Sequence, residues 1–156
     1  MTKVTIFSDG ACSPNPGKGG CAAILVHGDQ IKTISKGFKK TTNNRMELMG
    51  LIIGVEALKK TCEILAYSDS MYVVNPFTKN WLNGWISRDF ANIKNIDLWK
   101  RLLLALEPHT ITIKWVKAHC GIEMNEMADV AAVKARNGHL EDDVIPPGEQ
   151  LSLLTA

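Results

Sequence analysis

Val4-Thr5-Ile6-Phe7-Ser8-Asp9-Gly10 is the stretch that decides the fold. An apolar run with the length of a buried strand, residues 3–9, stops at a carboxylate. A turn-rich segment follows it, Asn15-Pro16-Gly17-Lys18-Gly19-Gly20. An aspartate at the rim of a sheet offers its charge to whatever sits outside the sheet. Asp9 is therefore read as the anchor of a metal site to which other elements bring more carboxylates. The plainer reading is an Asp-Gly turn closing a hairpin.

Outward from this strand the pattern continues as a meander. Cys21–Val26 reads as a second strand, His27-Gly28-Asp29-Gln30 as a turn, and Ile31–Phe38 as a third strand. The period then changes. From about Asn44 to Lys60, Leu48, Leu51, Ile52, Val55 and Leu58 form a helical stripe. Met49 and Ile53 lie off the stripe, which predicts a helix covered on more than one side. Thr42 or Asn43 is its expected N-cap. Glu47 sits at the border of the stripe, an odd place for an inward charge without a partner. Glu63–Asp69 repeats the logic of the first strand, an apolar run ending in Ser-Asp. Strand, helix, strand favours a parallel pair with a right-handed crossover. That pairing would bring Asp69 beside Asp9.

Residues 71–106 read as helix in pieces, closed by Pro108. Ile111–Val116 is the fifth strand, Lys117–Gly121 a loop, and Asn125 the expected cap of a last helix that runs to about Asn137 and carries Asp129. From His139 the composition shifts to Glu141-Asp142-Asp143 and Pro146-Pro147-Gly148. The expected division is a domain over 1–138 and a flexible tail over 139–156.

The bulk composition excludes little but bounds much. The chain has 156 residues, 46% hydrophobic and 22% charged, which suits one globular domain. No window reaches the length of a membrane span and the first residues lack a signal-peptide core, so a cytoplasmic protein is expected. Cys12, Cys21, Cys62 and Cys120 are scattered, without metal-like pairs. Net charge is only +2, so binding to an acidic polymer needs a local patch.

Six motifs together resemble type 1 ribonuclease H. They are the Asp9-Gly10 strand end, Asn15–Gly20, Thr41-Thr42-Asn43-Asn44-Arg45-Met46-Glu47-Leu48, Ser68-Asp69-Ser70, Lys94-Asn95-Ile96-Asp97-Leu98-Trp99, and Trp115–His119 through Asn125, Glu126 and Asp129. The likeness covers roughly residues 3–137, in the family's order. It implies an α/β ribonuclease H-like fold: a mixed five-stranded sheet, antiparallel in strands one to three, with strands four and five parallel to strand one and helices on both sides. It also implies endonucleolytic cleavage of the RNA strand of RNA–DNA hybrids, with 5′-phosphate and 3′-hydroxyl products and little sequence preference.

Carried over by position, Asp9, Glu47, Asp69 and Asp129 are the metal-binding and catalytic acids. His119 matches the loop histidine that assists proton transfer or product release. Two Mg²⁺ ions are the implied cofactors, with Mn²⁺ as a substitute; hard cations take carboxylate oxygens. Asn15, Asn43 and Asn44 match readers of the shallow minor groove, where 2′-hydroxyls mark RNA. Lys40, Thr42 and Asn95 match a pocket for a DNA-strand phosphate, with Arg45 close by. Trp81 and Trp85 match the helix before the protrusion that grips the DNA strand. The segment 88–94 carries only Arg88, Lys94 and Asp89 as charges, so a shallow salt dependence is expected. Met71 stands where the family often has Gln, and Pro14 where Gly is usual.

Gln150, Leu151, Leu153 and Leu154 resemble the short peptide with which bacterial replication proteins bind the sliding clamp. A monomer without membrane contact is expected. The alternatives are a non-catalytic hybrid-binding or clamp-tethered adaptor, and a DNA-cutting relative of the same fold.

Overall fold

The structure, a computed structural model, describes residues 1–146. In chain order the elements are β1 (Thr2–Cys12), β2 (Gly17–His27), β3 (Gln30–Thr41), α1 (Asn43–Glu56), β4 (Cys62–Ser68), α2 (Met71–Thr78), α3 (Trp81–Ser87), α4 (Ile96–Leu106), β5 (Thr110–Trp115), α5 (Glu123–Arg136) and β6 (Leu140–Glu141). β1, β2 and β3 pair antiparallel, β4 runs parallel to β1, and β5 runs parallel to β4. The order across the sheet is β5-β4-β1-β2-β3-β6.

Among the described residues the sheet thus has six strands where five were expected. The addition is β6, two residues that pair with Gly37 and Phe38 of β3. A two-residue strand carries no alternating pattern, so the sequence holds no signal for it. It also moves the start of the expected tail. Residues that follow the composition shift at His139 are docked on the domain through β6 and Asp143, while Gln150, Leu151, Leu153 and Leu154 lie outside the described residues.

Gly17-Lys18-Gly19-Gly20, expected in a turn, belongs to β2, with Gly19 opposite Cys12 and Gly20 opposite Ala11. The reason is packing. A Cβ on Gly20 would collide with the backbone of Ala132 and Arg136 in α5. A strand glycine here marks the seat of a helix.

The same kind of fit places α1. A Cβ on Gly10 would collide with the backbone of Met46 and Glu47. Gly20 shares a face with its partner Ala11, and Gly10 faces the other way, since successive strand residues alternate. Hence α1 and α5 cover opposite faces of one sheet. α1 is buried from Arg45 to Val55, as its off-stripe Met49 and Ile53 predicted, with α4 covering its outer side through Leu98, Trp99 and Leu102. Thr42 is its N-cap, its hydroxyl accepting from the Arg45 amide at 3.3 Å.

The last helix starts earlier than expected. Ile122, in extended conformation, holds the N-cap position, and Asn125 lies buried inside the first turn. Glu123 and Glu126 stand in that turn, where the helix dipole favours negative charge. A helix with that charge pattern can start without a side-chain cap.

Candidate active site

β4 ends beside Ser8 of β1, while β1 itself runs on to Cys12, paired with β2. Ser8 pairs with Ser68 in parallel register, so Asp69, just past β4, comes beside Asp9. The strand expected to stop at Asp9 does not, because Asp9 pairs with Ala22 inside β1 and the hairpin with β2 carries the strand on. Glu47 joins them from α1, which approaches closely because Gly10 has no side chain. One carboxylate oxygen from each of Asp9, Glu47 and Asp69 lies within 4.8 Å of the others. The amide of Gly10 donates to Asp9 Oδ1 at 2.9 Å and fixes that side chain. Asp9 is 2% exposed and Glu47 6%.

Burial and mutual repulsion act together here. Burial, and next the charge of Asp69, push the Asp9 carboxyl up to about 8. Burial, then Asp9 and Asp69, hold Glu47 well above the usual carboxylate range. Asp69 is raised by burial and by the charge of Asp129, and eased by His119. Asp129 stands half-buried on α5, outside the 4.8 Å group but near enough to raise both Asp9 and Asp69. His119 is exposed on the loop after β5, with φ of 55°. Of the residues named from the sequence, Asp9, Glu47 and Asp69 form one tight group, and the charges of Asp129 and His119 are felt there.

The proposed groove readers lie beside this edge. Asn15 is exposed, and its Oδ1 accepts from the amide of Asn43 at 3.0 Å, tying the turn before β2 to the start of α1. Asn44 is half-buried, and Lys40 is exposed. Trp81 is exposed, with Lys79 5.6 Å from its ring centre. Trp85 instead packs edge-on against the fully buried Trp99, their ring centres 5.1 Å apart, so it serves the core as well.

Arg45 lies close to the expected phosphate-pocket residues, bonded to Asn95 and next to Thr42. Its side chain is 1% exposed and bound to two carboxylates. Nη1 and Nη2 donate to Asp97 at 2.9 and 2.8 Å, and Nε and Nη2 donate to Asp143 at 2.8 and 3.0 Å. A planar guanidinium suits such paired contacts. Two carboxylates therefore balance the buried charge of Arg45. Asn95 belongs to the same network. Its Oδ1 accepts from Arg45 Nη1 at 3.4 Å and its Nδ2 donates to the Tyr72 hydroxyl at 2.9 Å.

Sequence reasoning missed Asp97, Asp143 and Tyr72, because nothing in their spacing links them to Arg45. It also missed Trp115, whose indole donates to the backbone carbonyl of Asp69 at 2.9 Å. That residue lies inside a quoted motif, but an indole aimed at a carbonyl leaves no trace in a pattern.

The acids fit a divalent cation. All the donors are hard oxygens, which Mg²⁺ prefers. Glu47 Oε2 is buried and has no hydrogen-bond partner. Three acids this close cannot all ionise without a counter-charge. Fold and site together define a class: α/β proteins that gather carboxylates at the end of a mixed sheet, where metal ions can be held.

Comparison with known proteins narrows the class. The RNase H family profile matches residues 1–137. A protein named ribonuclease H from Lachnoclostridium phytofermentans is 50% identical over 153 residues, spanning 90% of this chain and 97% of its own. Another from Serratia proteamaculans is 45% identical, spanning 92% and 96%. Among solved structures, LC9-RNase H1, described as a type 1 RNase H with the type 2 active-site motif, superposes with a TM-score of 0.80 at 24% identity, covering 88% of this chain and 73% of that one. RNase H1 from Halobacterium salinarum gives 0.65 at 26% identity, covering 86% and 98%. This chain belongs to the RNase H family.

Proposed function

We propose that this protein is an endoribonuclease that degrades the RNA strand of RNA–DNA hybrids. The observation that carries the reading is the group of buried Asp9 and Glu47 with half-buried Asp69, one carboxylate oxygen of it unpartnered, in a chain of this family. Asp9, Glu47, Asp69 and Asp129 would hold two divalent ions, Mg²⁺ or Mn²⁺ in its place. When bound, the ions activate a water and stabilise the departing 3′-oxygen. Gly10 keeps Asp9 Oδ1 in place, and α1 presents Glu47 across the gap left by that glycine. His119, on an exposed loop, moves a proton at the leaving group or helps release product.

Asn15, Asn43 and Asn44 read 2′-hydroxyls with short amides that both donate and accept. Thr42, Asn95 and Lys40 seat a DNA phosphate, and Trp81 with Trp85 supports the DNA strand. Phosphate contacts carry no sequence information, so cleavage is nearly indifferent to sequence. The same reading places the enzyme in the cytoplasm as a monomer, with Gln150–Leu154 as a peptide for a sliding clamp. Recovery of clamp by intact protein, and its loss on removal of residues 147–156, tests that last part.

The central experiment digests a labelled hybrid, duplex DNA and duplex RNA with and without Mg²⁺, using wild type and Asp69→Asn. Metal-dependent cutting of the hybrid's RNA strand alone, lost in the variant, is the expected result. Cutting that survives Asp69→Asn, or that needs no divalent ion, rejects the reading. Equal cutting of duplex DNA favours the DNA-cutting alternative.

A further inference from the structure

Trp115 is the last residue of β5 and is 44% exposed. A large aromatic ring on the surface contributes little to the core, and its value must lie in what it holds. The indole N–H donates to the carbonyl of Asp69 at 2.9 Å. The next amide, Val116, donates to the carbonyl of Ser68 at 2.9 Å. Two successive bonds thus tie the end of β5 across the end of β4, at the place where the regular ladder stops.

Asp69 is a junction. Its carboxylate faces Asp9 and Glu47, its carbonyl is held by Trp115, and the following Ser70 caps α2 through the amide of Val73. On the other side of the anchor, Lys117–Gly121 forms the loop of His119. That loop is bent by two left-handed residues, His119 at φ 55° and Gly121 at φ 86°. The charge of His119 is felt at Asp69. The loop and the acid therefore share one fixed point.

We infer that Trp115 is a positioning residue for the reaction: its indole N–H fixes the peptide of Asp69 and so sets both that carboxylate and the origin of the loop carrying His119. The inference rests on the reading of the acids as the metal site. It assigns Trp115 no contact with substrate.

Trp115→Phe keeps an aromatic ring and removes the donor. Wild type and variant are compared in hybrid cleavage, in Mg²⁺ binding to the substrate-free protein by calorimetry, and in thermal melting. The expected result is a kcat lower by about tenfold with KM unchanged. Mg²⁺ binds several-fold more weakly, and the melting temperature falls by no more than about 4 °C. A raised KM with unchanged kcat would mean that the ring binds substrate, and would overturn the inference. Unchanged kcat and Mg²⁺ affinity with a lower melting temperature would reduce Trp115 to a structural prop and overturn it equally.

A second readout needs no variant. The Trp115 indole N–H resonance of the wild type is expected to resist hydrogen exchange despite its exposed ring, and to shift on Mg²⁺ addition. Exchange as free as that of Trp81 would sink the inference. Metal-independent cleavage by wild type would reject the acid site and this inference together. Metal-dependent cleavage that Trp115→Phe leaves intact rejects this inference alone.

Discussion

Asp9 has almost no water around it, and its nearest neighbours are other acids. Folding without metal therefore favours its protonated form, with the carboxyl raised from 3.8 to about 8, first by burial and then by Asp69. Between those values the folded protein binds more protons than the unfolded chain. The stability this group lends is complete below about pH 4 and is lost as pH climbs through about 8. Metal-free protein should thus melt at progressively lower temperature across that range, and Mg²⁺ should restore it by binding the folded state. Asp9→Asn should flatten the slope and raise the stability of the metal-free protein at pH 8 by about 1–3 kcal/mol. The same change should reduce cleavage by at least about a hundredfold, since the anchor carboxylate is gone. Calorimetry in a chelator from pH 4 to 8 checks the first part; parallel slopes in both proteins would contradict it.

At the scale of elements, the site depends on how closely α1 can approach β1. Gly10 and Gly50 make the contact, and a Cβ on Gly50 would come within 2.7 Å of the Asp9 carbonyl oxygen and 3.0 Å of that of Ala22. Gly10→Ala should cost about 3 kcal/mol, at the upper end for overpacking, because backbone and not a flexible side chain stands in the way. Glu47 should be pushed away from Asp9, so residual folded protein should bind Mg²⁺ more weakly. Urea melts and calorimetry would show both, and a variant with wild-type stability would mean that the helix can shift freely. Thr42→Ala should cost only about 1 kcal/mol, the usual loss of an N-cap.

These elements also show what a sequence can and cannot display. The carboxylates Asp9 and Asp69 were legible because an apolar run that meets a carboxylate is a local pattern, and so was the parallel crossover between their strands. That β1 runs on past Asp9 to Cys12 was not, since its pairing with β2 is set by distant residues. The seat of α5 on Gly20 was not, since a glycine that admits a helix is written like a glycine that turns a chain. Asn125 was misplaced as a cap for a related reason: a buried amide and a capping amide share a letter, and only the packing of α5 separates them.

At the scale of the whole molecule, the chain closes on itself through Arg45. A boundary drawn at Gly138, where the composition changes, would cut off Asp143. That side chain is 3% exposed, accepts from Arg45 Nε and Nη2, and also accepts from the Thr41 hydroxyl at 2.6 Å. Its loss would remove from a buried guanidinium the more buried of two carboxylates that face it, Asp97 being 26% exposed. Removing one side of a buried pair typically costs about 3–5 kcal/mol, because the other charge stays behind unbalanced. A protein that ends after Gly138 should lose that much stability, a large part of the roughly 5–15 kcal/mol that holds a domain together. A protein that ends after Pro146 keeps β6 and Asp143 and should match the full chain. Both should still cleave hybrid at low temperature, since the acids lie elsewhere on the sheet. Urea denaturation of the three proteins, followed by circular dichroism, separates the cases. If the shortest chain unfolds within about 1 kcal/mol of the longest, the contacts of Asp143 add nothing to the fold beyond those of an exposed ion pair.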